Sequence, residues 1–307
     1  MENTMKTSRR TFLKTGAFAA AGLAVMRQPV FGAGKGSRMV GVQLYSVRDD
    51  MTRDPLGSLK KLAEMGYVYL EHANYENRKF YGWSAAEFKK VLDDLGLKMV
   101  SGHTVLGTQH WDAVKKDFTD EWKYTVEDAG VLQQKYVISP WMDESMRDSY
   151  DNLKQYLEVF NKCGELCIKS GMKYGYHNHD FEFSQKLNDE KVFDIIMKNI
   201  DPKLVVVQLD IGNMYNAGVK ALDIVKQYPD RFENIHVKDE IKAPAGSESE
   251  YESCILGEGV ISCREVVDLA TKIGGTTCYI IEQESYQGKT PMDCVKADLA
   301  VMKKWGY

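Results

Sequence analysis

The chain has 307 residues, a formal net charge of −4 and a hydrophobic content of 44%. These values are typical of a globular protein with room for one large domain or two ordinary ones. The body of the chain carries no long run of Lys and Arg, which argues against nucleic acid as its main partner.

The first stretch has the features of an export signal. Paired arginines in Ser8–Lys14 match the twin-arginine pattern, and an apolar run rich in Ala and Gly follows them. That run is too short and too rich in small residues for a comfortable membrane helix, so we expect no stable membrane span in the mature chain. We predict a twin-arginine signal peptide at residues 1–33 and a periplasmic or exported protein. A frayed N-terminal helix is the alternative.

Eight β-prone runs recur along the rest of the chain, starting roughly 30 to 45 residues apart, which is the length of a βα unit. They are Met39–Ser46, Tyr67–Ala73, Leu97–Thr104, Lys135–Trp141, Met172–His179, Leu204–Asp210, Glu233–Asp239 and Cys278–Glu284. The segments between them look helical. For example, Ser84 and Glu87 form a capping box, and Thr290-Pro291 places proline at the start of the last helix.

Eight βα units predict a single-domain α/β protein, a (β/α)8 TIM barrel over residues 38–307. An open doubly wound sheet is the main alternative. No Gly-x-Gly-x-x-Gly turn follows the first run, which argues against that sheet.

The six cysteines include no Cys-x-x-Cys pair, so a thiolate zinc site is not expected. Cys163 and Cys167 lie one helical turn apart and are predicted to be small core residues. An exported protein could form disulfides. Because twin-arginine export carries proteins that are already folded, we predict no required disulfide.

Polar residues gather at the ends of the last four β-prone runs. Active sites of such barrels lie at the C-terminal ends of the strands, and strand residues alternate between faces. His177, Asp210, His236 and Glu282 lie at similar depth, one on each strand. Two imidazoles and two carboxylates suit one divalent ion such as Mn²⁺, Zn²⁺ or Co²⁺. A single strand-end histidine, taken alone, is more often a hydrogen-bonded structural residue.

The opposite half of the ring offers the lining of a sugar pocket, in which aromatic faces stand beside amides and carboxylates. The candidates for substrate binding are Tyr45, Glu71, His103 and Trp141, with Gln43 beside Tyr45. Trp141 is equally compatible with packing at the rim. No phosphate-binding loop or arginine cluster lies near the strand ends, so a phosphorylated substrate is not favoured.

Several motifs together resemble those of the xylose isomerase-like barrel family, also called sugar phosphate isomerases/epimerases. The motifs are Leu209–Asn213 (LDIGN), His236–Asp239 (HVKD), Ile255–Ser262 (ILGEGVIS) and Ile280–Glu284 (IIEQE). The resemblance covers about residues 38 to 307. It implies one divalent metal ion, held by Glu, Asp, His and Glu from strands five to eight.

Carried over to this chain, the resemblance matches Asp210, His236 and Glu282 but places His177 where the family has a glutamate. In epimerases of the family that glutamate and the last one form a proton-shuttling pair, which is broken here. A second departure is Asn213, where many members have histidine.

The residues and the resemblance together indicate a metal-dependent enzyme acting on a non-phosphorylated, small-molecule sugar through an enediolate-type intermediate. Glu282 would be ligand and proton shuttle, with Lys238 and His179 as further acid/base groups. Glu182 either reaches into the mouth to bind substrate or caps a loop.

Isomerase or epimerase is the leading prediction for the reaction. The alternatives are a lyase or hydrolase acting on a 3-oxo-glycoside, and a non-catalytic periplasmic sugar-binding protein. A homo-oligomer is compatible with the sequence.

The segment Glu240–Gly259 is long and polar for a βα loop. We predict that it covers the active-site mouth and orders when substrate binds, whereas a disordered surface insert is the alternative.

Overall fold

The computed structural model describes residues 38–247 and 249–307, so the predicted twin-arginine signal lies outside the described residues. Eight parallel strands close into a barrel in which each strand pairs with its two sequence neighbours and β1 pairs with β8. The strands are β1 Met39–Gln43, β2 Tyr69–His72, β3 Lys98–His103, β4 Tyr136–Ser139, β5 Lys173–His177, β6 Val205–Asp210, β7 Asn234–Val237 and β8 Cys278–Ile281. The predicted (β/α)8 barrel is confirmed.

Helices surround the barrel and connect successive strands. They are α1 Arg48–Arg53, α2 Pro55–Met65, α3 Ala85–Asp94, α4 Asp120–Val131, α5 Tyr150–Lys169, α6 Phe181–Ser184, α7 Val192–Asn199, α8 Ala221–Gln227, α9 Cys263–Ile273 and α10 Pro291–Trp305. Among the described residues, no helix is both long and apolar enough to span a membrane.

Local sequence signals explain where these elements begin and end. Ser84 and Glu87 form the capping box of α3, as predicted. Thr290 caps α10 by accepting a hydrogen bond from the Asp293 backbone N–H, and Pro291 opens the helix. Gly306 ends α10 in the left-handed conformation, with φ of +95°, a geometry that costs glycine little.

The barrel interior has an apolar floor beneath a polar layer. Val206 on β6 and Ile280 on β8 share the inward parity of Asp210 and Glu282, and they belong to a separate buried cluster inside the ring. The larger core lies between the strands and the helices. Because both faces of each strand are covered, a strand such as β6 is buried along its whole length. All six cysteines are buried free thiols.

The segment after β7 is a β-hairpin rather than an irregular loop. Asp239–Lys242 pairs antiparallel with Tyr251–Cys254. Ser253 Oγ accepts hydrogen bonds from the backbone N–H groups of Glu284 (2.7 Å) and Ser285 (2.9 Å). The hairpin is therefore fastened to the chain that follows β8, and the alternative of a disordered surface insert is wrong for these residues; ordering on substrate binding stays a prediction.

Asp298 on α10 is a buried carboxyl group beneath the loop that follows the hairpin. Its Oδ1 accepts the Leu256 backbone N–H at 2.9 Å, whereas Oδ2 has no hydrogen-bond partner among the described residues. Burial raises the pKa of Asp298 from its usual 3.8 to about 7. The folded protein thus retains a proton that the unfolded chain releases, so the free energy of unfolding falls as pH rises from about 4 to 7.

Asp298→Asn should remove this loss of stability, because the amide keeps the acceptor for Leu256 and cannot titrate. We expect the melting temperature of the variant to exceed that of the parent by about 4 °C or more at pH 8, with a smaller difference at pH 4.5. The exposed Glu64→Gln serves as the control and should follow the parent at both pH values. A difference that stays constant with pH would contradict the assignment.

Candidate metal centre and active site

Four donor side chains meet at the C-terminal end of the barrel. His177 and Asp210 end β5 and β6, His236 lies on β7 and Glu282 directly follows β8. One donor atom from each lies within 4.8 Å of the others, and all four residues are buried. The structure therefore brings together the four residues that the sequence places at the strand ends.

Both imidazoles are held so that one ring nitrogen faces the other donors. His236 Nε2 lies 2.6 Å from Glu71 Oε1, while its Nδ1 lies 3.1 Å from Glu282 Oε2. His177 Nδ1 lies 3.0 Å from Gln208 Oε1, while its Nε2 lies 3.8 Å from Asp210 Oδ2. A buried acceptor behind each ring fixes its tautomer and orientation, which is the usual arrangement around metal-ligating histidines.

Asp210 supplies the observation that tests the fit of a metal ion. Its Oδ1 accepts hydrogen bonds from the backbone N–H groups of Gly212 (2.8 Å) and Asn213 (2.7 Å). Its Oδ2 is buried, accepts no hydrogen bond and lies 3.4 Å from Lys238 Nζ. A cation between Oδ2 and the two imidazoles would give this oxygen a partner, and two nitrogen and two oxygen donors suit Zn²⁺, Mn²⁺ or Co²⁺.

Glu71 lies deeper than the sequence analysis expects and does not line a sugar pocket. It is fully buried and accepts hydrogen bonds from Gln43 (2.8 Å), Ser101 and Gln208 (2.6 Å), besides its contact with His236. Burial raises the pKa of Glu71, but the charges of His103 and His236 outweigh burial and hold the pKa well below its usual range.

The position of Glu71 follows from strand register, because it pairs with Gln43 on one side and Ser101 on the other, below the mouth of the barrel. It is thus an ionised acceptor that orients His236.

Lys238 is buried among carboxylates beside the four donors. Its Nζ lies 3.0 Å from Glu282 Oε2 and 2.7 Å from Glu284 Oε1, and it donates a hydrogen bond to Asn213 Oδ1 at 3.0 Å. Burial lowers the pKa of Lys238, but the surrounding carboxylates outweigh burial and raise the pKa well above its usual value. A Cβ on Gly212 would lie 2.7 Å from Lys238 Cγ, so glycine at that position makes room for the lysine stem.

Glu282 is ionised because positively charged groups surround it, just as carboxylates surround Lys238. Burial raises its pKa, but the charges of Lys238 and His236 lower it well below the usual range. The Glu282 carboxylate, with the Lys238 ammonium group 3.0 Å from its Oε2, is therefore in the ionised form that a general base requires.

The donors open into a cavity of about 370 Å³, here called the mouth cavity. Its lining residues are Tyr45, Ala73, His103, Val105, Pro140, Trp141, His177, His179, Asn213, Glu282 and Glu284. Tyr45 and Trp141 are 43% and 40% exposed, which leaves their rings open to a ligand. The Trp141 ring also contacts the His179 ring at a centroid distance of 5.2 Å, so this tryptophan packs at the rim as well as lining the cavity.

His103 and His179 lie on the wall of the mouth cavity. His103 Nε2 lies 2.8 Å from Gln208 Oε1 and 3.0 Å from Glu71 Oε1, so one nitrogen of the ring is tied to the buried network. His179 Nδ1 is buried and has no hydrogen-bond partner among the described residues. Burial and the charge of Lys238 lower the pKa of His179 to about 4, so its imidazole is neutral at pH 7.

Glu182 caps a loop, which is one of the two roles the sequence analysis leaves open. It is fully buried and accepts hydrogen bonds from Tyr176 Oη (2.5 Å) and from the His179 backbone N–H (2.8 Å). Burial raises its pKa to about 7. Glu182 is not among the residues that line the mouth cavity, so it positions the His179 backbone and does not reach the substrate space.

Three residues that are not among the predicted site residues support the donors. Ser101 and Gln208 bond to Glu71, and Asn178 exchanges two hydrogen bonds with the Asp210 backbone, at 3.0 and 3.1 Å. Gln208 shares the inward parity of Asp210 on β6, and Ser101 shares that of His103 on β3, which is the sequence signal for both. Asn178 points the other way, and the sequence carries no signal for its role.

Asp210→Asn should weaken metal binding by more than about 100-fold, because loss of a mere supporting partner already costs about 10–100-fold. The fold should persist, since Oδ1 can still accept the two backbone N–H groups. Glu284→Gln is the matched control, because this carboxylate also contacts Lys238 but is outside the donor set; it should retain stoichiometric metal. Elemental analysis after equilibrium dialysis against Zn²⁺ or Mn²⁺ gives the measurement. Equal metal content in the two variants would contradict the assigned donor set.

The chain is similar in sequence and fold to several known proteins. An inosose dehydratase of Clostridium perfringens is 26% identical over 189 residues, which cover 58% of this chain and 62% of that relative, less than two thirds of its length. A sugar phosphate isomerase/epimerase from Parabacteroides distasonis superposes with a TM-score of 0.74 at 23% identity, covering 88% of this chain and 95% of that one. The IOLI protein with a bound zinc atom superposes with a TM-score of 0.66 at 13% identity, covering 87% and 97%. The family model for the xylose isomerase-like TIM barrel matches residues 59–305, and the chain belongs to this family.

Proposed function

We propose that the protein is a divalent-metal-dependent lyase that acts on a sugar or polyol carrying a carbonyl group. In this reaction a proton leaves the carbon next to the carbonyl, an enediolate-type intermediate forms, and an oxygen substituent on the following carbon is expelled. The sequence analysis puts isomerisation or epimerisation first. The geometry of the mouth cavity favours elimination instead.

The observation that carries this proposal is the one-sided placement of the carboxylates. Among the described residues that line the mouth cavity, the only carboxylates are Glu282 and Glu284, and both come from the chain at the end of β8. The far side of the ring is lined by His103, on β3, and Trp141, after β4, because β4 lies across the closed barrel from β8. Epimerisation needs proton transfer on both faces of one carbon, whereas a syn elimination needs one base on one face.

Glu282 alone can serve both halves of a syn elimination. Its carboxylate takes the α-proton, and the electron pair of the C–H bond becomes the new C=C bond. The C–O bond to the leaving group then breaks, and the leaving oxygen takes the same proton from Glu282. Lys238 Nζ, 3.0 Å from Glu282 Oε2, keeps this carboxylate ionised and in place before the reaction.

His177, Asp210, His236 and Glu282 are the residues that would hold the metal ion. When bound, a divalent ion would polarise the substrate carbonyl and so acidify the neighbouring C–H bond. Glu71 and Gln208 would keep the two imidazoles turned toward it.

The substrate proposed is a non-phosphorylated carbohydrate. The lining of the mouth cavity includes aromatic rings, an amide and carboxylates but neither lysine nor arginine among the described residues. Aromatic faces beside hydrogen-bonding groups suit the apolar faces and hydroxyl edges of a sugar ring. The inosose dehydratases among the relatives, whose name denotes elimination of water, support the same reaction class.

Epimerisation is the second candidate, and His179 is the observation in its favour. The ring lines the mouth cavity and comes from the chain after β5, three strands away from β8, so it is a group that could exchange a proton on a different face of the substrate from Glu282. The two reactions differ in their products, which makes them separable by one experiment.

The test is incubation of the metal-loaded protein with 3-oxo-glucosides and inososes in deuterated water, followed by NMR. Elimination should give an unsaturated ketone and a released alcohol or water. Epimerisation would give a stereoisomer that carries one deuteron, and would overturn the lyase proposal. Binding without either product would make the protein a sugar-binding protein.

In the same assay Lys238→Met should lower kcat by about 10²–10⁴-fold, the range for a lost acid/base contribution, while metal content stays unchanged. Lys242→Met is the control, because Lys242 is an exposed lysine on the hairpin that directly follows Lys238; its kcat should match that of the parent. If Lys238→Met left kcat unchanged, Glu282 would not depend on the ammonium group.

We also propose that the protein is exported through the twin-arginine route, because Ser8–Lys14 matches that signal and an apolar run follows it. Changing Arg9 and Arg10 to Lys should retain the protein in the cytoplasm in a cell fractionation experiment. Replacing Lys6 with Arg is the control and should leave localisation unchanged. Normal export of the double-lysine variant would exclude the twin-arginine route.

A further inference from the structure

A second cavity, here called the outer cavity, adjoins the mouth cavity. Its volume is about 400 Å³, and Tyr45 and Ala73 line both cavities. The two spaces therefore share a wall. Each volume alone lies near the lower end of the roughly 300–1,000 Å³ range of small-molecule pockets, so the outer cavity adds about as much room as the mouth cavity itself.

The outer cavity lies on the same side of the barrel as Glu282. Its lining comes from the chain after β1, between Leu44 and Pro55, and from the chain after β2, between Ala73 and Gly82. β1 pairs directly with β8, which Glu282 follows. Arg48, on the wall of the outer cavity, reaches the backbone carbonyl of Glu284 at 3.4 Å. A group leaving from the Glu282 side of a substrate would thus point toward this cavity.

Two aromatic rings on its wall are fixed in place. The Arg48 guanidinium lies 4.6 Å from the centroid of the Tyr45 ring and donates a hydrogen bond to Tyr286 Oη at 2.9 Å. Tyr81 Oη accepts the Ala73 backbone N–H at 3.0 Å. Because these rings are already ordered, a ligand that stacks on them would bind with little further loss of side-chain freedom.

The rest of the wall combines apolar surface with hydrogen-bonding groups. Leu44, Met51 and Pro55 supply the apolar part, and Asn74 and Thr52 supply polar atoms. Such a wall suits a ring with an apolar face and a polar edge. A leaving water molecule would need none of it.

We infer that the outer cavity is the subsite for the leaving group and that this group is a second ring, so that the substrate is a glycoside. The inference rests on the proposed lyase function, because it names the oxygen substituent which that reaction expels. In the elimination the C–O bond to the second ring breaks, its electron pair stays on the oxygen, and the proton from Glu282 completes the released alcohol.

The test measures binding of glucose, cellobiose and 4-nitrophenyl glucoside to the metal-loaded protein by calorimetry. None of them carries the carbonyl that the reaction needs, so binding is seen without turnover. Stacking of a second ring on Tyr45 should make one or both glucosides bind about 3- to 10-fold more tightly than glucose. The glucoside with the larger gain shows whether the ring is a sugar or an aromatic group.

Thr52→Trp provides the blocking variant, because Thr52 is exposed on α1 and lines only the outer cavity of the two. It should abolish the advantage of the glucosides and leave the affinity for glucose unchanged, whereas Thr52→Ser should behave like the parent. Equal affinity for glucose and both glucosides, or an advantage that survives Thr52→Trp, would overturn the inference. So would a gain shown only by glucose 6-phosphate, which would make the outer cavity a phosphate site.

Failure of the proposed function would look different from failure of the subsite. If neither glucose nor the glucosides bound and no product formed from the 3-oxo-glucosides, the lyase proposal and the subsite would fall together. If the 3-oxo-glucosides reacted but the glucosides had no binding advantage, only the subsite would be wrong.

Discussion

The contact between Glu71 and His236 is the interaction around which the top of the barrel is organised. A fully buried carboxylate destabilises the folded protein unless each of its lone pairs accepts a hydrogen bond. Glu71 meets this condition through side chains from β1, β3, β6 and β7, with His236 Nε2 only 2.6 Å away. Because this ionised carboxylate holds Nε2, the Nδ1 atom of His236 faces the other three side chains of the candidate metal centre. Loss of Glu71 would leave donors from four strands without a partner at once.

Much of the fold and part of the candidate site can be predicted from the sequence. The spacing of eight β-prone runs predicts the barrel, and capping residues such as Ser84 and Thr290 fix helix starts. Alternation along a strand, together with the rule that sites lie at C-terminal strand ends, suffices to select the four residues that meet in the candidate metal centre. Those signals are local or periodic, so they can be used without knowing how neighbouring strands are aligned.

The remaining features depend on tertiary register, which one sequence does not encode in a readable way. Glu71 has the residue type and strand position of a substrate ligand, yet pairing with Gln43 and Ser101 sets it below the mouth. Glu182 stands only three residues beyond His179 and turns back to cap it. The hairpin after β7 was missed because its strands are four residues long and polar, so burial gives them no alternating pattern.

The imidazole of His177, where the resemblance implies a glutamate, changes the charge balance of the centre. A carboxylate there would place negative charge on both sides of the substrate space. With imidazole at this position, the carboxylates that line the mouth cavity are Glu282 and Glu284, both at the end of β8 and beside Lys238. The centre is therefore polarised across the barrel, and the proposed elimination rests on that asymmetry more than on the identity of the ion.

The attachment of the hairpin through Ser253 has a consequence for how this scaffold can diversify. Ser253 Oγ accepts the backbone N–H groups of Glu284 and Ser285, so the hairpin is joined to the chain after β8 by hydrogen bonds that do not depend on the side chains at those two positions. Side chains nearer the hairpin tip, such as Ser247 and Tyr251, line a further polar cavity beside Lys238, which shares Asn213 and Glu284 with the mouth cavity. Substitutions there can change the shape and polarity of this cavity while His177, Asp210, His236 and Glu282 stay where they are, so the lining beside the site can vary independently of the four donor side chains.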